Sequence, residues 1–162
     1  MISPLSSDSR LVSTTSGYYQ INPEKKIRLS GTADYIADKF VGQNIIVLNQ
    51  GTNSKDVNFI LDRLNQKLGA GKFRKYNIMA EGTAGLEAML KPDKENIIVL
   101  AEGNEANVSV AMTRLNTISK SNKITVIGIQ EYTKMQSIDI EYLHNTRPVS
   151  YTHLTLPTNR EV

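Results

Sequence analysis

The sequence predicts an α/β protein built as a parallel β-sheet with helices on both faces. Three observations carry that expectation. Short aliphatic runs rich in β-branched residues recur at 45–48 (IIVL), 97–100 (IIVL) and 124–129 (ITVIGI). They are apolar at consecutive positions instead of alternating, as strands buried between two helical layers must be. Stretches with apolar residues at helical spacing lie between them, and the two kinds of segment alternate along the chain. That order is the signature of a layered sheet with right-handed crossovers.

Element by element, the chain begins with an extended segment at 1–5, opening on an apolar residue and a proline, and a second at 18–23 (YYQINP). Neither is expected to find a partner of its own within reach. The domain thus reads as opening in mid-strand, with neighbouring strands expected from sequence upstream of Met1. Leu29, Ala33, Ile36, Ala37 and Phe40 mark the first full helix. In 54–68, Val57, Ile60, Leu61, Leu64 and Leu68 form one apolar stripe, with Lys55, Asp56, Asp62, Arg63 and Lys67 outside it. Ser54 suits an N-cap, and the glycines at 69 and 71 supply a stop, because glycine tolerates the left-handed backbone that ends a helix. A weaker strand fits 75–79. Leu86, Met89 and Leu90 mark a shorter helix that Pro92 helps to terminate. Val108, Ala111, Met112, Leu115 and Ile118 repeat the stripe in the third crossover, and 119–123 is the loop into the last run.

Residues 148–162 (PVSYTHLTLPTNREV) have no helical period, no clean alternation and no apolar run comparable to those upstream. Read back through the genetic code, 149–158 resembles a transposon-end sequencing adapter translated in one frame. A non-native tail is therefore expected, with the native sequence stopping near Arg147 and the parent protein continuing beyond it. Tyr151 and His153 carry no functional weight on this reading.

Composition excludes several classes. With 40% hydrophobic and 22% charged residues, the chain is neither disordered nor collagen-like. Nineteen Lys and Arg against sixteen Asp and Glu give a net charge of +3 with no dense basic block, so nucleic acid is not an expected partner. The absence of cysteine removes thiol chemistry, thiolate zinc sites and disulfides. No apolar run approaches the ~20 residues of a membrane-spanning helix. Met1-Ile2 leads straight into Ser3-Pro4, with neither the basic nor the apolar part of a secretory signal.

Motifs for catalysis are absent. Gly69-Ala70-Gly71-Lys72 has the composition of a phosphate-binding loop, but it follows a helix, precedes a strand and carries Phe73 where Ser or Thr is required. The loop 49–54 (NQGTNS) holds one glycine where a dinucleotide fingerprint needs three. His144 is the one histidine ahead of the tail, which leaves a histidine metal site or a Ser-His-Asp relay without partners, and no serine sits in G-x-S-x-G. Glu102, Glu105, Glu131, Asp139 and Glu141 lie near or beyond strand ends, where acids commonly serve as solvated caps. No catalytic residue, metal or cofactor is expected.

The segment 3–9 (SPLSSDS) remains. Hydroxyls at a helix start, with the exposed N–H groups and positive dipole end there, suit a carboxylate or another small acceptor. Spacing alone favours the other reading of the same residues, a plain Ser/Asp helix cap.

The order of 2–11 (ISPLSSDSRL), 19–23 (YQINP), a helix and the strand 45–48 resembles the middle of a type I periplasmic-binding fold of the branched-chain amino-acid receptor kind. The resemblance covers 1–147, and is greatest to bacterial envelope proteins that place LysM peptidoglycan-binding repeats ahead of such a domain. It implies two α/β lobes that close on a small polar ligand for transport or sensing, without catalysis. Residues 1–22 would be the end of the first lobe and its crossover, and 23–147 an incomplete second lobe. It implies ligand contacts from Ser6 and Ser7, which would hold a carboxylate, and from Asn53, Asn104 and either Gln130 or Glu131. It further implies a periplasmic or cell-envelope location, with a signal sequence and peptidoglycan-binding LysM repeats upstream. The sequence departs from the pattern where aromatics are expected just after the strands at 45–48 and 97–100. That departure supports an alternative, a structural or regulatory envelope module, associated with peptidoglycan, that has lost the small ligand.

Overall fold

A computed structural model describes residues 2–3, 16, 19–20, 24–49, 54–101, 105–128 and 135–150. Five strands form one sheet with all pairings parallel: β3 (Asn44–Asn49), β4 (Phe73–Asn77), β5 (Asn96–Leu100), β6 (Ile124–Gly128) and β7 (Val149–Ser150), in the order β4-β3-β5-β6-β7. β1 (Ile2–Ser3) and β2 (Tyr19–Gln20) make a separate two-stranded parallel ladder. The described helices are α1 (Lys25–Lys39), α2 (Lys55–Leu68), α3 (Ile78–Met89), α4 (Glu105–Ser119) and α5 (Ile140–Thr146).

Burial explains why the aliphatic runs do not alternate. Ile45 and Val47 of β3, with Ile97 and Val99 of β5, pack against Leu29, Ala33 and Ile36 of α1 and Val57, Ile60 and Leu64 of α2. Their neighbours Ile46, Leu48, Ile98 and Leu100 point the other way, onto Leu86 of α3 and Val108, Met112 and Leu115 of α4. Both faces of the central strands are dry, so every position along them is apolar. β4 lies at the edge and reads weakly because only Tyr76 of its five residues is fully buried.

Two expectations need correction. The segments at 1–5 and 18–23 do find partners: Ile2 aligns with Tyr19 and Ser3 with Gln20. Two-residue pairing depends on backbone groups alone and leaves no periodic trace in sequence. The strand expected at 75–79 ends at Asn77, because the Asn77 side chain accepts from the backbone N–H groups of Met79 and Ala80 at 3.1 Å each and turns the chain into α3. That helix is consequently longer than its Leu86–Met89–Leu90 signal, and it is broken at Gly82, whose φ of 76° only glycine adopts readily. The Tyr76 hydroxyl donates to Gly82 O at 2.9 Å and holds the break in place. Val149 and Ser150, the second and third residues of the expected tail, align with Ile127 and Gly128 of β6.

The caps agree with the sequence. Ser54 Oγ accepts from Val57 N at 3.5 Å, and Gly69 ends α2 with φ 85° while its N–H donates to Asn65 O at 3.0 Å. The segment 69–72 is therefore a helix stop.

At the amino ends of β3 and β5, aligned partners Asn44 and Asn96 are buried side by side. Asn96 Oδ1 accepts from Asn44 Nδ2 at 2.7 Å and from Lys91 N at 2.9 Å, and its Nδ2 donates to the carbonyls of Lys91, Lys94 and Lys123. Arg74 of β4 donates to Asn44 Oδ1 at 2.8 Å and to Met89 O. One amide thus ties the α3–β5 loop and the entry to β6 together. Asn96→Leu would remove this whole set of side-chain bonds and set an apolar side chain against the buried Asn44 amide, at a cost of about 1–3 kcal/mol for each group left unsatisfied. We expect the variant to lose about 2–4 kcal/mol of unfolding free energy in urea titration. A loss under about 0.5 kcal/mol, the range of an ordinary surface substitution, would contradict this role.

Candidate functional site

In the sheet order, β3 leads through α2 to β4 on one side, and the chain then crosses back over β3 to place β5 on the other. The connections leaving β3 and β5 therefore run to opposite faces: α2 belongs to the core layer with α1, and α4 to the layer with α3. Adjacent parallel strands whose exits diverge leave a crevice at their carboxyl ends, the place where open α/β sheets bind ligands. In this sheet the strand ends at that place are Asn49 and Leu100, with Gly128 of β6 beside them.

The helix starts bring side chains to this edge. α1 runs antiparallel to β3, so its first turn lies near the strand's carboxyl end. Lys25 of that turn pairs with Asp56 in the first turn of α2. Arg28 lies one turn ahead of Thr32, whose hydroxyl donates to Arg28 O at 2.9 Å, on the flank of the buried stripe. Arg28 Nε is buried with no hydrogen-bond partner, and so is Asn49 Oδ1 at the end of β3. Asn49 continues the parity of Ile45 and Val47 and so faces the α1 and α2 layer. A buried polar atom left unpaired costs about 1–3 kcal/mol, and such atoms are rare in folded proteins.

On the other flank, Glu105 at the start of α4 accepts from Ser137 N at 3.2 Å and from Ser137 Oγ at 2.9 Å, while Ser109 Oγ donates to Ser137 O at 2.9 Å. These bonds dock the segment ahead of α5 onto α4. They also hold the Glu105 carboxyl below its ordinary range, the Ser137 hydroxyl contributing most and its N–H next. Asp139 caps α5 by accepting from Glu141 N at 2.9 Å. His144 is exposed on α5. Among the described residues, no group of three His, Cys, Asp or Glu could hold a metal, and no helix is long and apolar enough to cross a membrane.

No family model matches the chain, and no curated protein matches it. Among solved structures, it is similar to an ABC transporter substrate-binding protein from Desulfitobacterium hafniense in complex with leucine, at 12% identity and a TM-score of 0.46. The match covers 82% of this chain and 40% of that one, so the chain spans less than half the length of its neighbour.

All six residues singled out from sequence, Ser6, Ser7, Asn53, Asn104, Gln130 and Glu131, lie outside the described residues. Their neighbours in sequence are described. Asn53 directly precedes the cap Ser54 of α2, Asn104 directly precedes Glu105, and Gln130 and Glu131 come two and three positions after Gly128. Ser6 and Ser7 follow β1, in the separate ladder. Sequence reading passed over Arg28 and Asn49. Their only signal was an arginine flanking an apolar stripe and an amide closing an aliphatic run on its inward parity.

A cavity of about 400 Å³ opens at the opposite, amino edge, lined by Phe40, Leu68, Lys72, Lys91 and Lys94 among others. Two of its polar side chains have partners within the fold: Lys94 Nζ donates to Gly42 O at 2.6 Å, and Gln43 Oε1 accepts from Glu95 N at 3.0 Å. We therefore place the candidate site at the carboxyl edge, where the divergent connections and the unpaired polar atoms lie.

The Glu105 contact gives a pH test. A carboxyl whose folded value is lowered contributes stability that is fully present above the ordinary glutamate range and is lost as pH falls through the lowered value. Exchange of the Ser137 amide, corrected for its intrinsic pH dependence, is expected to quicken below about pH 4 in the native chain. Glu105→Gln should remove that acid step. An acid step that persists in Glu105→Gln would contradict it.

Proposed function

We propose that the chain is a non-catalytic solute-binding or sensory unit that holds a small polar, amino-acid-like ligand at the carboxyl edge of its sheet. The observation that carries this reading is the divergence of the β3 and β5 exits to opposite faces, which opens a crevice between the central strands. The described acids near that edge support a binding role over a catalytic one, since Asp56, Glu105 and Asp139 are each committed to a structural partner.

In the finer reading, 23–147 is the second lobe of a type I periplasmic-binding fold in the cell envelope, and 1–22 is the end of the first lobe. Ser6 and Ser7 take the ligand carboxylate by their hydroxyls, while Asn53, Asn104 and Gln130 or Glu131 complete the grip from the opposite lobe. An envelope module without a small ligand is the second reading. It is favoured by the lack of any aromatic in 50–53 and 102–104, which leaves no ring to stack on a ligand from those two segments.

A thermal-denaturation screen of the protein against the twenty amino acids and peptidoglycan fragments separates the two. A ligand at a hundred times its dissociation constant adds about 2.7 kcal/mol, which for a domain of this size raises the midpoint by roughly 5–10 °C. We expect at least one amino acid to do so, and Ser6→Ala combined with Ser7→Ala to abolish the rise. A flat response across the panel would overturn the solute-binding reading in favour of the second.

A further inference from the structure

The cavity of about 400 Å³ at the amino edge has room for a small organic molecule. Phe40, Val41 and Leu68 give it an apolar wall, Lys72, Lys91 and Lys94 also line it, and no acidic residue does. The segment 69–72 that ends α2 thereby delivers Lys72 to the cavity. Among the described residues, no carboxylate forms an ion pair with any of the three lysines. Lys72 and Lys91 are exposed, and Lys94 Nζ donates to Gly42 O at 2.6 Å, which uses one of its three N–H groups. The carboxyl ends of α1 and α2 offset the lysines only in part, since each helix end carries roughly half a negative charge, and roughly two positive charges are left beside the apolar wall.

We infer that this cavity is a binding site in its own right, independent of the function proposed for the carboxyl edge, and that it takes a small organic phosphate with an apolar body. A phosphate monoester carries about −1.5 to −2 charge at neutral pH, which matches the surplus. Lysine ammonium groups meet it as point charges, without the planar fork that favours a carboxylate. The apolar body lies against Phe40, Val41 and Leu68, so neither an inorganic anion nor a neutral ring can use both walls. A free amino acid suits the cavity poorly, because its ammonium would meet the three lysines.

Titration calorimetry of the protein with phenyl phosphate, inorganic phosphate and phenol, at one fixed ionic strength, tests this. We expect phenyl phosphate to bind at least about tenfold more tightly than either of the others, the scale of one hydrogen bond to a charged group. Lys72→Gln combined with Lys91→Gln should weaken phenyl phosphate by at least about tenfold. Lys55→Gln combined with Lys120→Gln removes the same charge from exposed positions that do not line the cavity, and should leave the affinity within about threefold. Val41→Asp, at an exposed position on the apolar wall, adds a carboxylate without touching a lysine; it should also weaken binding by at least about tenfold, and it serves if the double lysine variant fails to fold. Inorganic phosphate or phenol binding as tightly as phenyl phosphate would overturn the inference, as would an equal loss in the Lys55 and Lys120 control. Failure of phenyl phosphate to bind would overturn it too, and all of these outcomes leave the reading of the carboxyl edge untouched.

Discussion

Strands buried on both faces constrain everything else in this fold. With Ile45 to Leu48 and Ile97 to Leu100 almost wholly removed from water, the sheet must be covered twice, and a chain that covers a parallel sheet twice must leave each strand at one edge and return to the next from the other. The two edges consequently differ in kind. At the amino edge the chain only enters strands, and the structure closes it with the Asn44, Asn96 and Arg74 network and with Lys94 and Gln43 bridging neighbouring turns. At the carboxyl edge the connections part, and two buried polar atoms are left unpaired.

Legibility in the sequence followed the same physics. β3, β5 and β6 were readable because double burial demands unbroken aliphatic runs, and α2 because one face of it is wet and the other dry. β4 was read two residues out of place, since a half-exposed edge strand has little to distinguish it from the helix that follows, and the cap at Asn77 is a tertiary choice between two local structures. α5, seven residues long, is too short to show a period, although Asp139 stands in the capping position. The β1–β2 ladder is a two-residue backbone pairing and has no side-chain signature.

The candidate site was legible as a place more than as a set of residues. Strand ends can be counted from the runs, so the carboxyl ends of β3, β5 and β6 at Asn49, Leu100 and Gly128 could be placed at one edge of the sheet. Whether a polar group is satisfied depends on packing from distant segments, and no local pattern encodes it. Glu105 looked like a solvated cap, yet it holds Ser137, thirty-two residues away. Asn49 stood in the loop 49–54 of the sequence reading, yet it ends β3 with its Oδ1 buried.

The central claim is that the carboxyl edge between β3 and β5 is where this protein meets its ligand. Backbone amide chemical shifts, followed by NMR while an amino-acid mixture is added, test it most directly. The account predicts that the perturbed amides gather at 49–54, 101–105 and 128–131. Perturbations confined to the amino edge, around Lys72, Lys91 and Lys94, would contradict it.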